Sequence, residues 1–443
     1  MQKQIFKEFC KYVSLNILAM IAYSCYTLAD TFFVSADLGA NGLAALNLAF
    51  PALCIINGTG LMLGMGGGTR YAIAKSRNEH DQANRIFTNA FYLVILCSVI
   101  FVLIGAFLSK PIVRLLGADE TIFTMTNTYL QTMLLFAPAF LFNYFLQCFV
   151  RNDGKPSLSM AAMITGSLSN VLLDWIFIFP LKMGIFGAIL ATGLAPIISI
   201  GVIMPYFITK KNKFKFAKCT PNGKTFLAVL SSGVPSFVTE ASSGVVMLVF
   251  NFIILRLAGN VGVAAYGVVA AVSLVVIAIY NGLSQGVQPV LSRKYGENNL
   301  SDVKSVFKYA LVTMVIISVI LYTVLALCAP FIVSIFNGEH NTVLQEIAVN
   351  GYRIYFTACP FVGFNIVLAT YFTSTGRPVP AQIVSLLRGI IFIIPMAFLL
   401  SALFKMTGVW CAFPATELLT AIIGLILFAV KARNYKNKDR NEI

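Results

Sequence analysis

Charge is scarce in this chain. Asp, Glu, Lys and Arg make up 11% of 443 residues, while 58% are hydrophobic. A soluble domain carries roughly a quarter charged residues, so a water-soluble core is excluded and the bilayer has to be the solvent. Histidine is almost absent. The only two, His80 and His340, lie in predicted loops. No two of the nine cysteines are spaced C-x-x-C, and no H-E-x-x-H or nucleophile elbow occurs. Metal centres with the usual ligand spacing, nucleophilic catalysis and cofactor chemistry are therefore not expected, and the chain reads as no enzyme. No connection is long enough for a nucleotide-hydrolysing domain, and Gly64-Met65-Gly66-Gly67-Gly68 lacks the strand and the Lys-Ser/Thr of a phosphate loop. Close helix packing is its expected role.

Apolar stretches of the length needed to cross a membrane number twelve: 12–35, 44–70, 86–109, 122–148, 158–180, 185–208, 228–255, 262–290, 306–330, 344–372, 380–402 and 408–431. The prolines at 51, 138, 196, 235, 289, 360 and 395 are expected to interrupt them. The net charge of +15 does not imply nucleic acid, because the basic residues sit between spans. With the N-terminus inside, the inner segments carry 25 Lys and Arg and the outer ones five, Lys110, Arg114, Lys182, Arg256 and Lys405. The excess of positive charge in cytoplasmic loops places both termini in the cytoplasm and implies a multi-pass protein of the cell membrane, in contact with lipid. Nothing in the sequence bears on oligomeric state, and a monomer is the default.

The halves resemble each other. At an offset of 220, Gly39, Leu63, Gly66, Asn78 and Phe87 fall on Gly259, Leu283, Gly286, Asn298 and Phe307; at 222, Pro138, Asn143 and Gly154 fall on Pro360, Asn365 and Gly376. Six spans per repeat make the repeats parallel, a transporter plan with the substrate path between lobes. The expected organisation is an all-α membrane protein with an N-lobe (1–208), a cytoplasmic linker (209–227) and a C-lobe (228–443), related by a pseudo-two-fold axis along the membrane normal.

A carboxylate in hydrocarbon costs about 3 kcal/mol or more, so acids kept there are functional candidates: Asp30, Asp174, Glu240 and Glu417. The i, i+4 spacing puts Asn170 and Asp174 on one helix face. Two carboxylates with an amide oxygen and a hydroxyl form a hard-oxygen site for a proton or a small cation; a hydrogen-bond network joining helices is the other reading. Glu240 follows Pro235 and is either a second protonation site facing the cleft or an acid near the inner interface. Arg388 and Glu417 form an ion pair within the lobe or take part in coupling.

These residues resemble a known family. Asp30-Thr31-Phe32-Phe33-Val34, Arg151-Asn152-Asp153-Gly154-Lys155-Pro156, Asn170-x-x-x-Asp174, Gly184-x-x-Gly187-Ala188, Gln285-Gly286-Val287-Gln288-Pro289 and Pro414-x-x-Glu417 look like multidrug and toxic compound extrusion (MATE) transporters of the bacterial drug-exporter branch. The resemblance implies two six-helix lobes and export of organic cations in exchange for protons or sodium ions, without a further cofactor. By position it implies a coupling-ion group of Asp30, Asn170, Asp174 and Thr192, serving as metal ligands if sodium is the ion. Glu240, Gln285, Arg388 and Glu417 are candidates for substrate or proton contacts. Phe392 and Met396 stand at the equivalent C-lobe positions, so coupling is expected in the N-lobe. A lipid-linked saccharide flippase of the same superfamily is the alternative.

Overall fold

A computed structural model describes residues 2–336 and 341–441; for Ala40, Asn260 and residues 431–441 it describes the backbone only. His340 lies outside the described residues, as do the side chains of the basic tail. Among the described residues helices are the only regular secondary structure. The spans are α1 (Gln2–Gly39), α2 (Asn41–Ser76), α3 (His80–Leu115), α4 (Glu120–Leu135 with Ala137–Asn152, bent by 46°), α5 (Pro156–Ile178), α6 (Gly184–Ile208), α7 (Gly223–Gly259), α8 (Val261–Gly296), α9 (Leu300–Phe336) and α10 (Thr342–Ser374). The stretch Pro378–Val430 turns at Lys405 (φ 53°, ψ −133°), which divides it into α11 (378–404) and α12 (406–430). The twelve spans form two lobes of six, α1–α6 and α7–α12.

The repeat extends to backbone conformation. The α1–α2 and α7–α8 corners turn at Gly39 (φ 60°, ψ −150°) and Gly259 (φ 61°, ψ −156°). A side chain is disfavoured there, and glycine has no Cβ to clash. Asn78 and Asn298 share a positive φ (64° and 56°), as do Gly154 and Gly376 (94° and 70°). All three pairs are the ones matched at offsets 220 and 222.

Each half has its own aromatic and aliphatic core. Large apolar side chains face outward in belts, such as Leu96, Val99, Leu103 and Phe107 on α3 and Ile316, Val319, Ile320 and Leu327 on α9. In water they would be an aggregation surface; in lipid they need no cover.

The halves meet along α1–α8 and α2–α7, toward the end that carries both termini. A Cβ on Gly66 would strike the Val229 carbonyl, and one on Gly233 the Met62 carbonyl. Across the pseudo-two-fold, a Cβ on Gly286 would lie 2.7 Å from Val13 Cα, and one on Gly282 2.7 Å from Ile17 Cα. The helices cross backbone to backbone, as small residues permit in membranes. The glycine run of α2 also packs against α3 and α4: Gly64 against Tyr144 and Cys148, Gly67 against Ala90 and Phe149, Gly68 against Asn152.

Several expectations change. The helices run on through Pro51, Pro196, Pro235 and Pro289. A proline forfeits one backbone bond, and continuous neighbours hold the rest. Only Pro138, beside the bend in α4, and Pro360, where a short 3-10 turn leads into Cys359–Ser374, mark real breaks, while Pro395 follows a π turn over Leu387–Ile391. His80 begins α3 instead of lying in a loop. Arg151, counted among loop charges, is 1% exposed at the end of α4. The first turns of α1 pack into the second half: Ile5, Phe9, Tyr12 and Val13 join its core, and Glu8 Oε2 accepts from Arg293 Nη2 at 2.6 Å.

Candidate functional site

Two polar sites are buried in the bundle. The first lies inside the first half, in the part of the spans far from the termini. Asp30 is nine residues before the end of α1, and Asp174 four before the end of α5. Asn170 and Asp174 are fully buried, Thr192 is 4% exposed and Asp30 7%. In the amide orientation that satisfies both ends, Asn170 Nδ2 donates to Asp174 Oδ2 at 2.9 Å and Oδ1 accepts from the Thr192 N–H at 3.2 Å. Asp30 and Asp174 lie close enough for their carboxyls to interact. Oδ1 of each is buried with no hydrogen-bond partner in the protein. Among the described residues neither carboxyl has an ion-pair partner.

All four residues expected to group together do so, on α1, α5 and α6. The sequence reading missed two phenols beside them. Tyr26 is one turn before Asp30, and Tyr129, 3% exposed on α4, lies within electrostatic reach of both carboxyls. For Tyr26 the signal was available, since i and i+4 share a helix face. For Tyr129 there was none, because aromatics abound in apolar spans.

Two neighbouring buried carboxyls are stable together only if one of them carries a proton or both lie against a cation. With their free oxygens, the Asn170 amide and the Thr192 hydroxyl, they offer a set of hard oxygens and no basic side chain. Proton or small-cation exchange is the chemistry this arrangement can perform.

The second site is a pocket between the halves, lined by Leu61 and Met65 of α2 and by residues of α7, α8, α10 and α11 that include Glu240, Gln285 and Arg388. Three candidates from distant stretches of sequence thus meet on one surface. Glu417 lies behind it. Its Oε1 accepts from Arg388 Nε at 3.0 Å and Nη2 at 2.8 Å, and its Oε2 accepts from Asn365 Nδ2 at 2.7 Å. Both guanidinium bonds converge on one carboxylate oxygen and the pair is almost fully buried, so the Arg388 charge is matched inside the lobe. Among the described residues Glu240 has no ion-pair partner.

Below this pocket a polar layer closes the seam. Arg151 Nη1 donates to Asn16 Oδ1 at 2.9 Å and to Gln285 Oε1 at 2.8 Å. Gln288 Nε2 donates to Thr69 Oγ1 at 2.9 Å, and the Asn152 amide bonds Gln288 at 3.1 Å. Arg70 Nε donates to Ser232 Oγ at 2.8 Å. The Arg151-Asn152 motif is therefore a structural lock across both halves.

Comparison with known proteins agrees with this architecture. The multidrug export protein MepA of Staphylococcus saprophyticus subsp. saprophyticus is 24% identical over 435 residues, spanning 98% of this chain and 95% of that protein. MepA of Staphylococcus aureus strain MRSA252 is 25% identical over 434 residues, 97% and 95% of the two chains. A solved structure described as the outward-facing conformation of a multidrug resistance MATE family transporter superposes with a TM-score of 0.91 at 22% identity, covering 97% of this chain and 96% of that one. The MatE family model matches residues 16–176 and 235–399, one segment in each half and most of the chain in total. The chain belongs to the MatE (MATE) family of multi-pass membrane transporters.

Proposed function

We propose that the protein is a secondary antiporter that exports organic cations in exchange for protons or sodium ions, with coupling seated in the first lobe. The observation that carries this reading is the buried Asp30–Asp174 pair, whose unpartnered oxygens and lack of a basic partner make it responsive to a proton or Na⁺. The central pocket supports the substrate class. Glu240 is its one acid, and the Arg388 charge beside it is already matched by Glu417. Leu61 and Met65 add apolar and polarisable surface, which suits large cations. The same balance disfavours the lipid-linked saccharide flippase, whose anionic cargo calls for an excess of positive charge in the cavity.

In the proposed cycle both termini are cytosolic, so the glycine seam and the Arg151 layer close the cytosolic side. The drug leaves from the opposite side as the ion reaches Asp30 and Asp174. Binding of that ion changes the charge between α1, α5 and α6 and shifts α1, whose first turns are packed into the other lobe. The ion's leverage is its differential affinity for the two states. One charge moving through 100 mV adds about 2.3 kcal/mol. Efflux of a cationic dye from cells expressing the protein tests the reading. Asp30→Asn and Asp174→Asn should each abolish it at unchanged membrane abundance; wild-type rates in both would sink the proposed site.

A further inference from the structure

The linker between the halves is not a loose tether. Lys213 N–H donates to Asp153 Oδ2 at 2.8 Å, Lys215 N–H to Asn84 Oδ1 at 2.9 Å, Ala217 N–H to Thr88 Oγ1 at 2.9 Å and Asn222 N–H to Asn89 Oδ1 at 2.8 Å. Phe214 is fully buried, with its ring 4.7 Å from that of Phe87. The linker backbone is thus fixed along the start of α3.

This docking builds a pocket of about 430 Å³ at the termini end of the first lobe. It is lined by Tyr71, Lys75, His80, Ala83, Asn84 and linker residues 210–213 and 215. Five of those residues are lysines: Lys75, Lys210, Lys211, Lys213 and Lys215. Lys75 is neutralised by Asp153, which also accepts from the Tyr71 and Tyr206 hydroxyls. The four linker lysines are exposed, and among the described residues none of them has an acid partner. His80 and Ala83 belong to the first turn of α3, where Glu79 provides no side-chain cap, so that helix start adds partial positive charge and free N–H groups. Glu79 and Asp81 stand at the same helix start, but neither lines the pocket. Close in sequence to its lining residues, Ile208 is 75% exposed and Phe216 64%.

We propose that this basic pocket is an anion site that binds a phosphate group, borne by an anionic lipid headgroup or by a soluble phosphate. Four uncompensated lysines, an imidazole and an uncapped helix start converge on one concavity whose backbone walls are held in place. Basic pockets of this kind beside membrane spans take phosphate-bearing headgroups, and helix starts take phosphates in general. The site is separate from the Asp30–Asp174 cluster and from the central pocket, and it does not depend on which ion or drug is carried.

The test uses the full-length protein purified in detergent. The variant Lys211→Gln/Lys213→Gln/Lys215→Gln is compared with Lys7→Gln/Lys11→Gln/Lys304→Gln, which removes the same charge outside the pocket. Native mass spectrometry reads retained phosphatidylglycerol against phosphatidylcholine, and thermal melting reads the effect of millimolar inorganic phosphate. If a lipid is the source, phosphatidylglycerol adducts fall by about tenfold or more in the pocket variant only, while phosphatidylcholine is unchanged. If a soluble anion is the source, phosphate raises the melting temperature of the wild type and the control but not of the pocket variant. Equal lipid adducts and equal phosphate shifts in the two variants would overturn the proposal. Should the triple variant lose its single size-exclusion peak, Lys211→Gln and Lys213→Gln alone carry the same comparison.

Discussion

Arg151 of α4 and Gln285 of α8 are joined across the seam between the halves by a 2.8 Å hydrogen bond from Nη1 to Oε1. A buried guanidinium held only by neutral partners is costly when those partners leave. It is therefore bound to the closed seam, and separation of the lobes has to give it other company. Gln285→Ala should weaken this closure. Spin labels placed on α1 and α8 at the termini end should show a broader, longer distance distribution than in the otherwise wild-type protein. An unchanged distribution would remove Arg151 from the lock.

The glycine crossings make a sharper prediction. Gly66→Val and Gly286→Val put branched side chains against the backbones of Val229 and Val13. Each should stop transport with the protein still in the membrane. Gly201→Ala, where a Cβ meets nothing within 4 Å, should leave transport intact and favour the helix by roughly 0.5–1 kcal/mol. Dye efflux and membrane abundance measured together check all three.

Removing Arg388 alone strands the Glu417 carboxylate in the lobe with Asn365 as its remaining side-chain donor. Arg388→Met should destabilise by about 3–5 kcal/mol, and Arg388→Met/Glu417→Gln should recover much of that loss. Melting in detergent decides it. A double variant no more stable than the single would show that the pair is not a self-contained structural unit.

Asp153 holds the linker through the Lys213 N–H and is itself gripped by Lys75, Tyr71 and Tyr206. Asp153→Asn should free the segment, and trypsin should then cut at linker residues 210–218 several-fold faster than in the wild type. Gel analysis of timed digests reads the difference.

Much of this was legible in the sequence because membrane physics is repetitive. Hydropathy gave the spans, and the offsets of 220 and 222 gave the halves. Asn78 with Asn298 and Gly154 with Gly376 then proved to share a backbone conformation as well as an identity. The i, i+4 pairing of Asn170 and Asp174 marked the first-lobe site. Arg151 was misread because a charge at a helix end looks the same in sequence whether it faces water or the partner lobe. The docking of 210–222 was illegible because polar linkers carry no periodicity, and its partners Asn84, Thr88 and Asn89 are ordinary helix residues until the linker reaches them. The corner at Lys405 lacks the glycine that marked Gly39 and Gly259.

The most direct test of ion coupling through Asp30 and Asp174 is flux of a cationic dye in proteoliposomes, driven by an imposed pH or Na⁺ gradient. The wild type should move dye against one of these gradients, and Asp174→Asn should lose the gradient dependence while still binding dye. Gradient-driven flux of equal size in Asp174→Asn and wild type would contradict the account.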